Sequence, residues 1–265
     1  MRLKIEHQTV YSFATPISYG LQQVRKTPKS VRFQNVVHWQ TLVEGGVKEV
    51  SYEDHHHNTV ELLSFAPGTT SLSVTSRGEV ELSDDSGVVG PHRGPVPLWL
   101  YLRETPRTQA KAGVRALLRD IGAAGDLSGL HDLSAGIRER IEFEIGASES
   151  SWSAEDAVEA GRGVCQDHTH VFIACARRLG VPARYVSGYL MLDDQTAQEA
   201  MHAWAEAYVD GLGWVGFDVA NSQSPDTRYV RVATGLDYTE AAPVSGRYAG
   251  GSAESLTVRI DVAQQ

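Results

Sequence analysis

The strongest constraint on the fold is a change of hydrophobic period part-way along the chain. Up to residue 83, apolar residues recur in short alternating or β-branched runs: Leu3 and Ile5, then Val10, then residues 36–43, 60–65 and 71–75. Alternation sends successive side chains to opposite faces of an extended backbone, so these runs predict half-buried strands. Gly45-Gly46 and Pro67-Gly68 punctuate them as turns. Further along, Leu133, Ile137, Ile141 and Ile145 recur every four residues as a one-sided helical stripe. Between the two regimes, residues 84–97 carry three prolines and three glycines, which predicts a linker or surface loop. Strands followed by helices point to an α+β fold. We expect an N-terminal antiparallel β domain over residues 1–103 and, over 104–265, a second domain with helices packed on an antiparallel sheet.

The second half is punctuated clearly enough to place its elements. Ser153 followed by Glu155 and Asp156 predicts a helix start, and Gly161-Arg-Gly163 its end. A new helix follows from Cys165 to Leu179, closed by Gly180 with Pro182 just beyond. Residues 184–192, 203–209 and 213–218 read as three strands, and 256–262 as a last one.

Composition bounds the function classes. A 42% hydrophobic content supports a core, and two cysteines in 265 residues exclude both a disulfide scaffold and a tetracysteine zinc site. The net charge of −9 argues against a broad nucleic-acid surface. The start of the chain lacks the apolar run of a signal peptide, and no stretch reaches the roughly 18 apolar residues of a membrane span. The expectation is a soluble cytoplasmic protein with reduced thiols, no membrane partner and no nucleic-acid partner.

Cys165 opens a helix after a glycine turn, where unpaired N–H groups and the helix dipole favour a thiolate. Cys175 lies mid-helix in an apolar run and reads as core. His202 opens one predicted strand and Asp218 ends the next. Taken singly, each fits an ordinary surface histidine or turn aspartate. A helix start followed by two neighbouring antiparallel strands can bring all three together. A thiol needs a base to ionise near neutral pH, and an imidazole needs a carboxylate or amide to orient it.

The blocks Gly161-Arg-Gly-Val-Cys-Gln-Asp-His-Thr-His170, Arg184-Tyr-Val-Ser-Gly-Tyr-Leu190, His202-Ala-Trp-Ala-Glu-Ala-Tyr208 and Trp214-Val-Gly-Phe-Asp218 resemble the core of the bacterial transglutaminase-like superfamily. Tyr11-Ser-Phe13, Pro16 and Asp54-His-His-His-Asn-Thr-Val60 resemble the β-rich region preceding that core in many bacterial members, and residues 230–246 resemble its C-terminal segment. The resemblance implies a papain-like core with Cys165 as nucleophile, His202 as general base and acid, and Asp218 as orienter. It implies no cofactor, and a protein or peptide substrate. Three segments depart from the family's usual pattern: His168-Thr169 after Cys-Gln-Asp, Val219-Ala220-Asn221 after the aspartate, and the stretch 148–152 before the helix. They touch substrate-facing loops rather than the nucleophile.

Around these three, Asp167 and His170 are candidates to brace the site from behind, and Gln166 or Trp152 to help hold an oxyanion. Trp152, Tyr189, Trp204 and Trp214 are candidates to line a groove, with Asn221 beside the aspartate, although aromatics beside strands are commonly core. Metal readings are weaker. Cys165, His168, His170 and Cys175 share one helix, with the cysteines about 15 Å apart along its axis, and cannot converge. In a strand, His55 and His57 would share a face, but Asp54 and Asn58 flank them as a polar loop would. We therefore expect no metal.

Three outcomes stay open at the level of sequence: thioester resolution by an amine, hydrolysis by a peptidase or amidase, and a non-catalytic binding or assembly role. The five lysines all precede residue 112. An amine-accepting enzyme without lysines near its thioester would cross-link itself less; an arginine-favouring codon usage leaves the same pattern.

Overall fold

The structure, a computed structural model, describes residues 1–193 and 195–265. Six strands come first: β1 (Arg2–Ser12), β2 (Ile17–Thr27), β3 (Gln34–Glu44), β4 (Gly46–Glu53), β5 (Thr59–Phe65) and β6 (Ser71–Leu82). In β1, Leu3, Ile5, His7, Thr9 and Tyr11 are buried while Arg2, Lys4, Glu6 and Gln8 are exposed, as the alternation requires. The strands divide between two sheets that face each other over Tyr11, Phe13, Ile17, Val24, Leu63, Phe65, Leu72 and Val74.

After β7 (Val88–Gly90) and a 3₁₀ turn (Leu98–Leu102), the helices follow: α1 (Ala112–Ile121), α2 (Leu127–Arg140), then the short β8 (Glu142–Phe143), α3 (Ala154–Ala160), β9 (Arg162–Gly163) and α4 (Cys165–Arg178). The chain continues through β10 (Ala183–Leu190), β11 (Ala197–Gln198), β12 (His202–Val209), β13 (Gly213–Phe217) and β14 (Tyr229–Gly235), then α5 (Tyr238–Ala241), β15 (Val244–Gly250) and β16 (Ser255–Gln264). A third main sheet runs β14-β10-β12-β13-β7, all antiparallel. Helix α4 packs on it, burying Val171, Phe172, Ile173, Ala174 and Cys175. An α+β layout is therefore what the chain builds.

Three expectations need correction. Ile145 does not continue the stripe of Leu133, Ile137 and Ile141, which are buried: α2 stops at Arg140, and Ile145 is 86% exposed beyond β8. The division at residue 103 does not follow the sheets. β16 pairs along the length of β1, and β15 pairs with β2, so the C-terminal strands complete the N-terminal sheets. An antiparallel edge strand needs a partner, and side-chain period says nothing about which segment supplies it. Most of the glycine- and proline-rich stretch 84–97 is surface loop, one of the two expected alternatives, but its β7 is not loop: it is the edge strand of the third sheet, pairing with Trp214 and Val215 on β13.

The two parts of the fold share a core. Leu3, Ile5, Val80, Leu82, Ile260 and Val262 from the strands pack in one apolar cluster with α1, α2 and α4. A buried polar chain also runs between them: Lys26 Nζ donates to Thr9 Oγ1 at 2.5 Å, Thr9 Oγ1 lies 3.2 Å from His7 Nε2, and His7 Nδ1 lies 3.1 Å from the Tyr189 hydroxyl on β10.

Candidate active site

The site begins with how α4 starts. Helix α3 is opened by a capping box, Ser153 with Asp156, and closed by Gly161 in the left-handed conformation at φ 65°. Three residues later Val164 caps α4, and Cys165 is its first helical residue. The Asp167 carboxylate holds this start in place: its Oδ2 accepts from the Val164 N–H at 2.8 Å and from Ser148 Oγ at 2.5 Å. Gly163 is required here, because a Cβ on it would meet the Asp167 Cβ at 2.7 Å. Asp167 is completely buried and its Oδ1 has no partner among the described residues. Burial raises its pKa despite the bonds from Ser148 and Val164. Asp167 thus acts on the helix that carries Cys165 and on the loop before it.

His168 adds a second tie. Its Nδ1 lies 2.9 Å from the Val164 carbonyl oxygen and its Nε2 3.0 Å from that of Ile141. His170 points elsewhere. It is buried against Tyr185, its Nε2 accepts the Tyr238 N–H at 3.2 Å, and burial with Arg107 and Arg177 nearby lowers its pKa to about 3. It joins α4 to α5 as a neutral ring.

The strands bring the other two candidates to Cys165. In the β12–β13 pairing Ala205 faces Phe217, so His202 at the start of β12 and Asp218 just after β13 lie at the same end of the hairpin. His202 Nε2 sits 2.6 Å from Asp218 Oδ2 and 3.4 Å from Asn221 Nδ2, and the ring lies within the influence of the Cys165 thiol. Burial would push the imidazole pKa down, but the charge of Cys165 and the bonds to Asp218 and Cys165 raise it to about 10. Burial also works against the Asp218 carboxylate; His202, Tyr229 and Asn221 outweigh it and its pKa falls below the usual range. Across β12, Gly188 on β10 pairs with His202, and a Cβ there would meet the Trp204 ring at 2.4 Å.

Cys165 is half-buried whereas Cys175 is fully buried, its thiol pushed up to about 12 by burial. The other candidates separate. Asn221 Nδ2 donates to Asp218 Oδ2 at 2.8 Å, and Trp204 is stacked on His202 with ring centroids 6.2 Å apart. Trp204 is 2% exposed, so it is the wall behind the imidazole rather than an open groove surface. The Gln166 side chain is turned to the Ser150 carbonyl at 3.2 Å, which ties down the loop instead of offering an oxyanion donor. Trp152 packs half-buried against the core, and its carbonyl accepts from Arg107 at 3.3 Å. Tyr189 does not line the site. It is buried between the two parts of the fold, with its hydroxyl committed to His7.

Tyr229, which the sequence reading passed over, belongs to the cluster. Its hydroxyl donates to Asp218 Oδ2 at 2.7 Å and accepts from Gln223 Nε2, and burial beside Asp218 raises its pKa, so it stays a donor. The run from Tyr229 alternates as a strand does, but no pattern in it tells that β14 lies beside β10.

Behind Trp204 lies a buried charge group. Glu206 is fully buried between Arg184 and Arg231, whose Nε atoms lie 2.6 and 2.7 Å from its oxygens. Burial raises the carboxyl pKa, and the two guanidinium groups reverse this, bringing it to about 2. The Arg184 guanidinium also lies 3.9 Å over the Trp214 ring.

Among the described residues no helix is long and apolar enough to cross a membrane. An uncharacterized protein of Mycobacterium leprae (strain TN) is 26% identical over 279 residues, covering 99% of each chain. An uncharacterized protein of Mycobacterium tuberculosis (strain ATCC 25618 / H37Rv) is 25% identical over 289 residues, covering 98% of this chain and 92% of the relative. The crystal structure of a candidate cysteine protease from Cytophaga hutchinsonii superposes with a TM-score of 0.80 at 22% identity, covering 99% of this chain and 90% of the other, a likeness of fold. Residues 3–81 match the model of the bacterial transglutaminase-like N-terminal region, and residues 115–219, which include Cys165, His202 and Asp218, match that of the transglutaminase-like superfamily core. The chain thus matches the transglutaminase-like superfamily in its core and the bacterial transglutaminase-like region in its N-terminal strands.

Proposed function

We propose that the chain catalyses thiol-dependent acyl transfer on peptide or amide substrates, with Cys165 as nucleophile, His202 as proton carrier and Asp218 as orienter. The observation that supports this best is the His202 ring, held at Nε2 by Asp218 at 2.6 Å, with its charge favoured by the half-buried Cys165. An imidazole in that position takes the thiol proton and remains beside the thiolate as imidazolium.

In the first half-reaction the thiolate sulfur bonds to the carbonyl carbon of a carboxamide or peptide, and the carbonyl electron pair moves to oxygen. The Cys165 and Gln166 N–H groups at the start of α4 have no partner among the described residues and can receive that oxyanion, whereas the Asp167 N–H already donates to the Val164 carbonyl. The oxyanion collapses, the C–N bond breaks, and the departing nitrogen takes the proton from His202, leaving a thioester on Cys165. In the second half-reaction His202 removes a proton from water or from an amine, which attacks the thioester and regenerates the thiol. Water gives hydrolysis; an amine gives a new amide.

A peptidase or amidase outcome stands beside amine transfer, because the relative described as a candidate cysteine protease shares this fold. A free, half-exposed thiol is kept reduced in the cytoplasm, the compartment we assign.

The test is product trapping. Wild type and Cys165→Ala are incubated with a peptide library, with and without a labelled primary amine, and products are read by mass spectrometry. Label incorporation by wild type alone identifies amine transfer, and cleavage by wild type alone identifies a peptidase. No product from either protein would sink the catalytic proposal in favour of a binding role.

A further inference from the structure

Far from Cys165 in the sequence, the turn between β4 and β5 meets helix α5. His55 and His56 from the turn and Glu240 from the helix each offer one ligand atom, all within 4.8 Å of one another. The geometry points to a divalent transition-metal site of the zinc class, with His55, His56 and Glu240 as its three protein ligands and the remaining position open to water. Two imidazoles and one carboxylate are a donor set that suits such an ion.

His56 is the anchor. Its side chain is fully buried, with Nδ1 3.1 Å from the Tyr101 hydroxyl and Nε2 2.9 Å from Glu240 Oε2. A metal-bound histidine ordinarily has its second ring nitrogen fixed in this way, which sets its orientation. With Nε2 donating to the Glu240 carboxylate, loading requires that proton to leave Nε2. The proton between Nε2 and Glu240 moves to Nδ1, and the Tyr101 hydroxyl, which can both donate and accept, becomes its acceptor.

The turn is held rigidly for the task. Asp54 Oδ1 accepts from the His56 and Asn58 N–H groups, each at 2.9 Å, and Lys29 Nζ donates to the His56 carbonyl at 2.8 Å. His55 is exposed and lies against His56 with ring centroids 4.1 Å apart, so it can swing in at little cost. Around a tetrahedral zinc ion, nitrogen and oxygen ligands stand about 3.3 Å apart. The 2.9 Å contact between His56 and Glu240 would therefore open by a few tenths of an ångström, and the wider separations would close. His57, the neighbour that shares a strand face with His55 in the sequence, turns to Glu53 and takes no part. Because the ligands come from the N-terminal strands and from α5, the ion would clamp the two parts of the fold together.

The test is a titration of chelator-treated full-length protein with zinc and cobalt, read by melting temperature and by the visible absorption of bound cobalt. Wild type is expected to gain roughly 5–10 °C at about a hundred times the dissociation constant. His55→Ala, which removes only an exposed ring, and Glu240→Gln are expected to weaken binding at least tenfold. His57→Ala and Cys165→Ala are expected to bind as wild type does. No metal-dependent shift in wild type, or an undiminished one in His55→Ala, overturns the proposal. A shift lost only in Cys165→Ala also overturns it, by placing the ion on the thiol.

Discussion

The Tyr229 hydroxyl donates to the same oxygen of Asp218, Oδ2, that faces His202 Nε2, at 2.7 and 2.6 Å. Asn221 Nδ2 adds a third donor to that oxygen at 2.8 Å. One carboxylate oxygen is thus saturated by three groups from three places in the chain, which explains how a buried aspartate keeps its charge. Asp218 contributes stability that is present above its unfolded pKa of about 3.9 and is lost as pH falls through its lower folded value. Tyr229→Phe removes one opponent of desolvation, so the acid limb of activity should move to higher pH. Activity at neutral pH should fall about tenfold, the effect of roughly 1.4 kcal/mol. A pH–rate profile of the variant checks both; an unmoved acid limb would show that Tyr229 is only packing.

The two thiols should react very differently. Iodoacetamide should modify Cys165 below neutral pH, because the imidazolium of His202 stands beside it. Cys175, buried and pushed up to about 12, should stay unmodified until the protein unfolds. Peptide mapping after alkylation at several pH values reads this directly. In His202→Ala the acidic-pH reaction of Cys165 should disappear, and turnover should drop by about 10²–10⁴-fold.

His202 also makes a stability prediction of opposite sign to that of Asp218. Its folded pKa is raised to about 10, so its contribution is fully present below the unfolded value of about 6.5 and is lost as pH rises through about 10. The stability advantage of wild type over His202→Gln should therefore be greatest in mildly acidic buffer and shrink in alkaline buffer. Urea denaturation across that range measures it. A difference independent of pH would mean that the ring is not held charged.

Glu206→Gln should be among the most damaging single changes outside the site. It leaves the guanidinium groups of Arg184 and Arg231, 10% and 6% exposed, buried with no carboxylate between them. Breaking a buried ion pair from one side costs about 3–5 kcal/mol. Chemical denaturation should show a loss in that range, and a loss under about 1 kcal/mol would mean that water reaches the two arginines.

Removing residues 255–265 should destabilise the N-terminal strands. Strand β16 covers the edge of β1 and buries Ile260 and Val262, each 1% exposed. Each buried side chain of this kind contributes about 1.5–3 kcal/mol, and the uncovered β1 would be an open edge prone to association. Thermal melting together with light scattering would detect both effects.

Much of the site could be read from residues alone, because its signals are local. Gly161 and Gly163 before Cys165, the Ser153–Asp156 cap and the Gly180 stop are statements about backbone conformation within one turn, and each is found where the residues place it. The strands read around His202 and Asp218 are likewise present, with Asp218 just past the end of β13. What could not be read is non-local. Tyr229 meets Asp218 only because β14 crosses to the far side of β10, and Tyr189 meets His7 across 182 residues.

The sequence by itself determined the elements and their capping, the split between one half-exposed and one buried cysteine, and the chain order of thiol, imidazole and carboxylate. Only the tertiary structure decided which strand borders which, and hence that the last strands close the first sheets and that His55, His56 and Glu240 converge. The physical reason is that side-chain period and cap chemistry are settled by neighbours a few residues away. Strand partnering and buried charge are settled by whatever the folded chain brings within hydrogen-bond reach, at any separation along it.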